Sequence, residues 1–102
     1  MNNLFNLKVL LSNMKRIHLT VHGRVQGVFF RANIRKKALE LNLKGYAQNL
    51  ETGTVEIVAE GQENDLKALI DFCNGSPGIS KVSKVDIKLE KPQNNFSTFE
   101  VK

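Results

Sequence analysis

The 102-residue sequence contains a single cysteine, Cys73, so no disulfide can close within the chain. Lone thiols belong to reducing compartments, and the expected location is therefore cytoplasmic. No apolar run approaches the roughly 18 residues that a membrane-spanning helix requires, so no membrane association is expected. The opening stretch, MNNLFNLKVLLSN, holds one Lys and a short apolar run without a small-residue cleavage site. It does not read as a secretory signal. Residues 1–13 are expected to be a dispensable, flexible extension ahead of a domain, 14–102, that begins MKRIHLTV.

Missing too is every common hydrolytic constellation. There is no Ser-His-Asp arrangement, no pair of catalytic carboxylates and no cluster with metal-ligand spacing. His18 and His22 fall on one face of an expected strand, but at about 3.3 Å per residue they lie roughly 13 Å apart. They cannot share a metal, and a solvent-facing position is expected for both. Cys73 falls in the apolar stripe of an expected helix and reads as a small core residue.

The most local deficit is one of acid. Between Gly23 and Ala38 there is neither Asp nor Glu, whereas Arg31, Arg35, Lys36 and Lys37 crowd the start of an expected helix. A helix N-terminus already carries roughly half a positive elementary charge, so cations there are unfavourable unless an anion joins them. Over the whole chain, 15 Lys and Arg against 10 Asp and Glu give a net charge of +5. That excess favours anionic partners in general without selecting one.

What is present is an ordinary globular composition, 41% hydrophobic and 25% charged, in a length that fits one domain. RIHLTVH alternates with period two: Ile17, Leu19 and Val21 face one way, His18, Thr20 and His22 the other. Gly23 and Gly27 mark a tight loop, and from Phe30 the apolar residues Phe30, Ile34, Ala38 and Leu41 follow helical spacing. Gly45 is expected to end that helical region. YAQNL and TVEIVAE read as two strands joined by a turn at Thr52 and Gly53. Leu66, Leu69, Ile70 and Cys73 define a second helix, this one acid-first with Glu63 and Asp65, and NGSPG breaks it. KVSKVDIKLE and FSTFEVK supply the remaining strands. The order β-α-β-β-α-β plus a terminal strand predicts an α+β, ferredoxin-like split βαβ sandwich, with two helices on one face of a mostly antiparallel sheet.

The loop Gly23-Arg24-Val25-Gln26-Gly27-Val28-Phe29-Phe30 is neither a Walker motif nor G-x-G-x-x-G. It is either an ordinary tight turn or an anion nest at a helix N-terminus. A guanidinium just beyond it, Arg31, suits the terminal oxygens of a phosphoryl group, although any single Arg can equally be a surface cation paired with a Glu. Asn49, at the end of a strand, is open to a turn-capping role or to a functional one.

GRVQGVFFR (23–31), followed by GYAQNLETGTV (45–55), GSPGISKV (75–82) and FEVK (99–102), closely resembles the acylphosphatase family. The resemblance runs from about Met14 to Lys102. It implies a hydrolase of small acyl phosphates, without metal or cofactor; a monomer is expected. It further implies that the amides of Gln26, Gly27, Val28, Phe29, Phe30 and Arg31, with the Arg31 guanidinium, hold the phosphate. Asn49 would orient the attacking water. Tyr46 stands where that family often has Trp, and Phe29 where it can have Gly or Cys, both within the family's usual range. Two other readings compete. RNA-binding sheets of this topology display aromatic rings on their central strands. Here TVEIVAE instead puts Thr54, Glu56, Val58 and Glu60 on one face, so no nucleic-acid partner is expected. A domain that docks a carboxyl phosphate without hydrolysing it remains the third reading.

Overall fold

The computed structural model describes residues 13–102, so the expectation of an extension at residues 1–13 falls almost wholly outside them. Strand β1 (Met14–Arg24) leads through a short loop into helix α1 (Phe30–Glu40). Strands β2 (Lys44–Asn49) and β3 (Val55–Gln62) form a hairpin, followed by α2 (Glu63–Asn74), β4 (Lys81–Glu90) and β5 (Phe99–Val101). The sheet order is β4-β1-β3-β2-β5, antiparallel except for the β2–β5 pair. This is the ferredoxin-like arrangement expected from the element order, extended at one edge by β5.

The period-two strands and the helical stripes meet in one layer. Ile17, Leu19 and Val21 of β1 and Val55, Ile57 and Ala59 of β3 are fully enclosed with Phe30, Ile34, Ala38, Leu66, Leu69 and Cys73 of the helices. Burial of Cys73 pushes its thiol up to about 12, so it is a neutral core residue.

Gly45 departs from its expected role. It does not stop α1, which ends at Glu40, with Asn42 turning the chain at φ 58°. Gly45 lies inside β2 at φ 146°, where a Cβ would come within 1.8 Å of the Val58 carbonyl oxygen. Only a residue without a side chain permits that approach.

The second face of β3 is also closed, which strand alternation alone could not reveal. Val58 and Glu60 are 2% and 3% exposed. The chain from Glu90 to Phe99 must travel from one edge of the sheet to the other, and it does so across this face. Gln93 N–H and Asn94 N–H donate to the Glu60 carboxylate at 2.9 and 3.0 Å. Arg16 donates to the same carboxylate at 3.0 Å and to Glu90 at 2.9 Å. Phe96 then packs its ring edge against Tyr46, and Thr98 O accepts from Gly45 N–H at 3.0 Å. His18 and His22 share this face but are not simply solvated. They sit 2.8 Å from Glu56 and Asp86, respectively.

Burial alone would raise the Glu60 pKa; the Gln93 amide, Arg16 and the Asn94 amide together outweigh it and hold the carboxyl below its ordinary value. A depressed folded pKa stabilises the fold fully above the unfolded value, and the contribution is lost as pH falls through the folded one. Glu60→Gln should therefore cost about 2 kcal/mol at neutral pH. Urea titrations of both proteins should show that gap closing as the pH is taken below about 4.

Candidate active site

Three polar features converge at the end of the sheet where β1 and β2 finish. The first is the loop Val25–Phe29. Val25 and Val28 are buried and pin it to the core, while Gly27 and Phe29 take left-handed conformations at φ 72° and 61°. Left-handed residues alternating along a loop turn successive amides toward one concavity. No acidic residue and no capping side chain occupies the first turn of α1. Its first main-chain hydrogen bond runs from Asn33 N–H to Phe29 O at 3.0 Å. The amides from Gln26 to Arg31 donate to no other group among the described residues.

The second feature is Arg31, in the first turn of α1. It makes no ion pair with a carboxylate side chain among the described residues, so the surface-pair reading does not hold. Instead Nη1 donates to the main-chain oxygen of Lys102 at 2.6 Å. Lys102 N–H in turn donates to Ala47 O at 2.9 Å, which fixes this tether to β2. The remaining donors of the guanidinium bind no protein group among the described residues.

The third feature is Asn49, the last residue of β2. It pairs with Val55 and has the same parity as the buried Ala47, so its side chain points toward the helix-covered side of the sheet. Its Oδ1 is buried and has no hydrogen-bond partner. A turn-capping Asn would have one. An orphaned acceptor costs about 1–3 kcal/mol, a cost that a donor arriving from outside the protein removes.

Shared anchors hold these features together. The Gln26 side chain donates from Nε2 to Leu50 O and to Thr54 O, both at 2.8 Å, lacing the loop to the β2–β3 turn one residue beyond Asn49. The Arg31 tether reaches Ala47, two residues before Asn49. Thus the loop brackets Asn49 from both sides.

The resemblance implied an amide role for Gln26 and its side-chain role was missed, although a lone polar residue between Val25 and Gly27 was a signal for it. Lys102 was missed altogether, because nothing local connects it to residue 31.

The acylphosphatase family model matches residues 17–101. The chain belongs to the acylphosphatase family. An acylphosphatase of Syntrophus aciditrophicus is 43% identical over 88 residues, covering 86% of this chain and 92% of the relative. The structure of the Coxiella burnetii acylphosphatase superposes with a TM-score of 0.85 at 40% identity, covering 90% and 96% of the two chains. That of the Bacillus subtilis acylphosphatase gives 0.82 at 31%, covering 86% and 98%. This is therefore an acylphosphatase enzyme, which hydrolyses acyl phosphates.

Phe29 is the one residue of the loop whose identity works against its conformation: it is 79% exposed and left-handed, and its side chain is not packed. A non-glycine residue there costs about 1–2 kcal/mol. Phe29→Gly should preserve hydrolysis and raise stability by roughly 0.5–1 kcal/mol, after the entropy that glycine loses on folding. Thermal melts of the two proteins test this.

Proposed function

We propose that the unpartnered amides of residues 26–31 and the Arg31 guanidinium hold the phosphate of a small acyl phosphate, while Asn49 aligns the water that attacks it. The observation that carries the proposal is the buried, unpartnered Asn49 Oδ1 next to a helix start with neither cap nor acid. The anion missing from the sequence between Gly23 and Ala38 is the substrate's own phosphate.

The chemistry asks for little more. The leaving group is a carboxylate whose conjugate acid has a pKa of about 4, so it departs without a general acid. Phosphoryl transfer through a loose transition state leaves the protein to supply position and charge stabilisation. Amides fixed by the Gln26 lacing, and a guanidinium fixed by Lys102, supply both with little reorganisation. Water donates one hydrogen to Asn49 Oδ1, which orients a lone pair toward phosphorus. An amide is too weak a base to take the proton. The attacking oxygen forms its bond to phosphorus as the phosphorus–oxygen bond breaks; its electron pair leaves with the carboxylate, and both protons of the water stay on the phosphate as dihydrogen phosphate, which then releases one to solvent.

One chain supplies every group named, so the working unit is a single copy. Nucleic acid does not suit the face of the sheet away from the helices. Tyr46, its aromatic on β2, has Phe96 against it on one side and the Lys102 ammonium 3.9 Å from the ring centroid. No ring face is left for a base to stack on. The buried, unpaired Cys73 suits a reducing cytoplasm.

Purified protein should hydrolyse benzoyl phosphate, and Arg31→Ala should lose at least about 10²-fold in kcat/KM, as removal of an oxyanion donor does. Asn49→Ala should lower kcat with little change in KM, because its contact with the water matures in the transition state. A folded Asn49→Ala protein with normal turnover would remove the water-aligning role. Inorganic phosphate at 100 times its dissociation constant should stabilise the protein by about 2.7 kcal/mol, and Arg31→Ala should abolish that gain.

A further inference from the structure

The hydrogen bond from Arg31 to the Lys102 main-chain oxygen steadies the guanidinium only as far as Lys102 is itself steadied. Lys102 lies just past β5, a strand of three residues. Its N–H donates to Ala47 O at 2.9 Å. One contact at the N–H leaves the rest of the residue free to turn about it, and the carbonyl that Arg31 uses would turn too. The side chain supplies a second point. Its ammonium lies 3.9 Å from the centroid of the Tyr46 ring. It pairs with no carboxylate side chain among the described residues, so this ring is the partner that holds it. A cation over an aromatic face is attracted by the negative charge the ring displays there.

Tyr46 is a fixed platform for that contact. It is half-buried on the face of the sheet away from the helices, because Ala47 beside it points into the core. Its hydroxyl donates to Glu56 Oε1 at 3.1 Å, and the other oxygen of that carboxylate sits 2.8 Å from His18. Burial, and then the bond to Glu56, raise the tyrosine pKa and keep the ring neutral. The Phe96 ring packs against it with centroids 6.0 Å apart, and the Arg16 guanidinium covers Phe96 at 5.4 Å.

We propose that Tyr46 is a positioning residue for Arg31: by holding the Lys102 ammonium on the far face of the sheet, it sets the main-chain oxygen that aims the guanidinium. The inference rests on the phosphate site proposed above. Lys102 joins the two across the sheet, its side chain on Tyr46 and its main-chain oxygen on Arg31. A guanidinium tethered in this way has less freedom to lose when phosphate arrives. Because Arg31 grips the phosphate of substrate and product alike, loosening it weakens the binding of both rather than the chemical step.

Calorimetric titration of the full chain with inorganic phosphate, together with kcat and KM for benzoyl phosphate, tests this. Tyr46→Leu, which alters no charge, should raise the phosphate Kd and KM about three- to tenfold with kcat within about twofold. Lys102→Met, at an exposed position that does not threaten the fold, should do the same. The double variant should bind no worse than the weaker single one, because both substitutions remove one contact. Tyr46→Phe and Tyr46→Trp keep a ring and should bind phosphate as the wild type does. Spin relaxation of the Arg31 Nε–H in the ligand-free protein should show a more mobile guanidinium in Tyr46→Leu and Lys102→Met, but not in Tyr46→Phe. A folded Tyr46→Leu protein with wild-type phosphate affinity overturns the proposal, as does a lower melting temperature with no change in Arg31 mobility. Losses that add in the double variant overturn it too. Arg31→Ala is the control: an unchanged phosphate Kd there would remove the phosphate site instead, and the relaxation data alone would then decide whether Tyr46 positions the guanidinium.

Discussion

A single buried carboxylate organises much of this molecule. Glu60 gathers two main-chain amides of the crossing segment and the Arg16 guanidinium at one point on the sheet. Carboxylates are seldom this enclosed unless paired, and each of these donors offsets part of the desolvation penalty. The consequence reaches the far edge of the sheet. With the crossing segment held at Glu60, β5 falls beside β2 and Lys102 meets Arg31. The Arg31 guanidinium is thus positioned, through β5, by a contact on the opposite face of the sheet.

The two helices show how local electrostatics divides labour. Helix α2 begins with Glu63 and Asp65, which satisfy its positive end with charges of its own chain. Helix α1 begins with no acid and with Arg31. The positive end of that helix, the loop amides and the guanidinium add rather than cancel. Such a cluster is unfavourable without an anion, and on the proposed reading the substrate's phosphate restores the stability given up there.

Much of this was legible in the sequence, for identifiable reasons. Period-two and helical stripes depend on neighbours a few residues apart, so β1, α1, α2 and β4 emerged with nearly their observed bounds. The acid deficit at α1 could be read by counting. Gly45 was misread because a glycine after a helical stripe resembles a stop signal, whereas its cause is the Val58 carbonyl on an adjacent strand. The enclosure of Val58 and Glu60 was hidden for the same reason: alternation describes one strand, and the cover comes from residues more than 30 positions away. The side-chain work of Gln26 and the tether at Lys102 are likewise products of topology rather than of local pattern.

The Arg31–Lys102 contact joins positions 71 apart in the chain. During synthesis the loop before α1 leaves the ribosome long before the residue that steadies Arg31. Contacts of such sequence separation form late, after the intervening chain has surrendered its freedom. A nascent chain therefore carries Arg31 without its Lys102 tether while the intervening residues are made, although the Gln26 lacing of the loop needs only the β2–β3 turn.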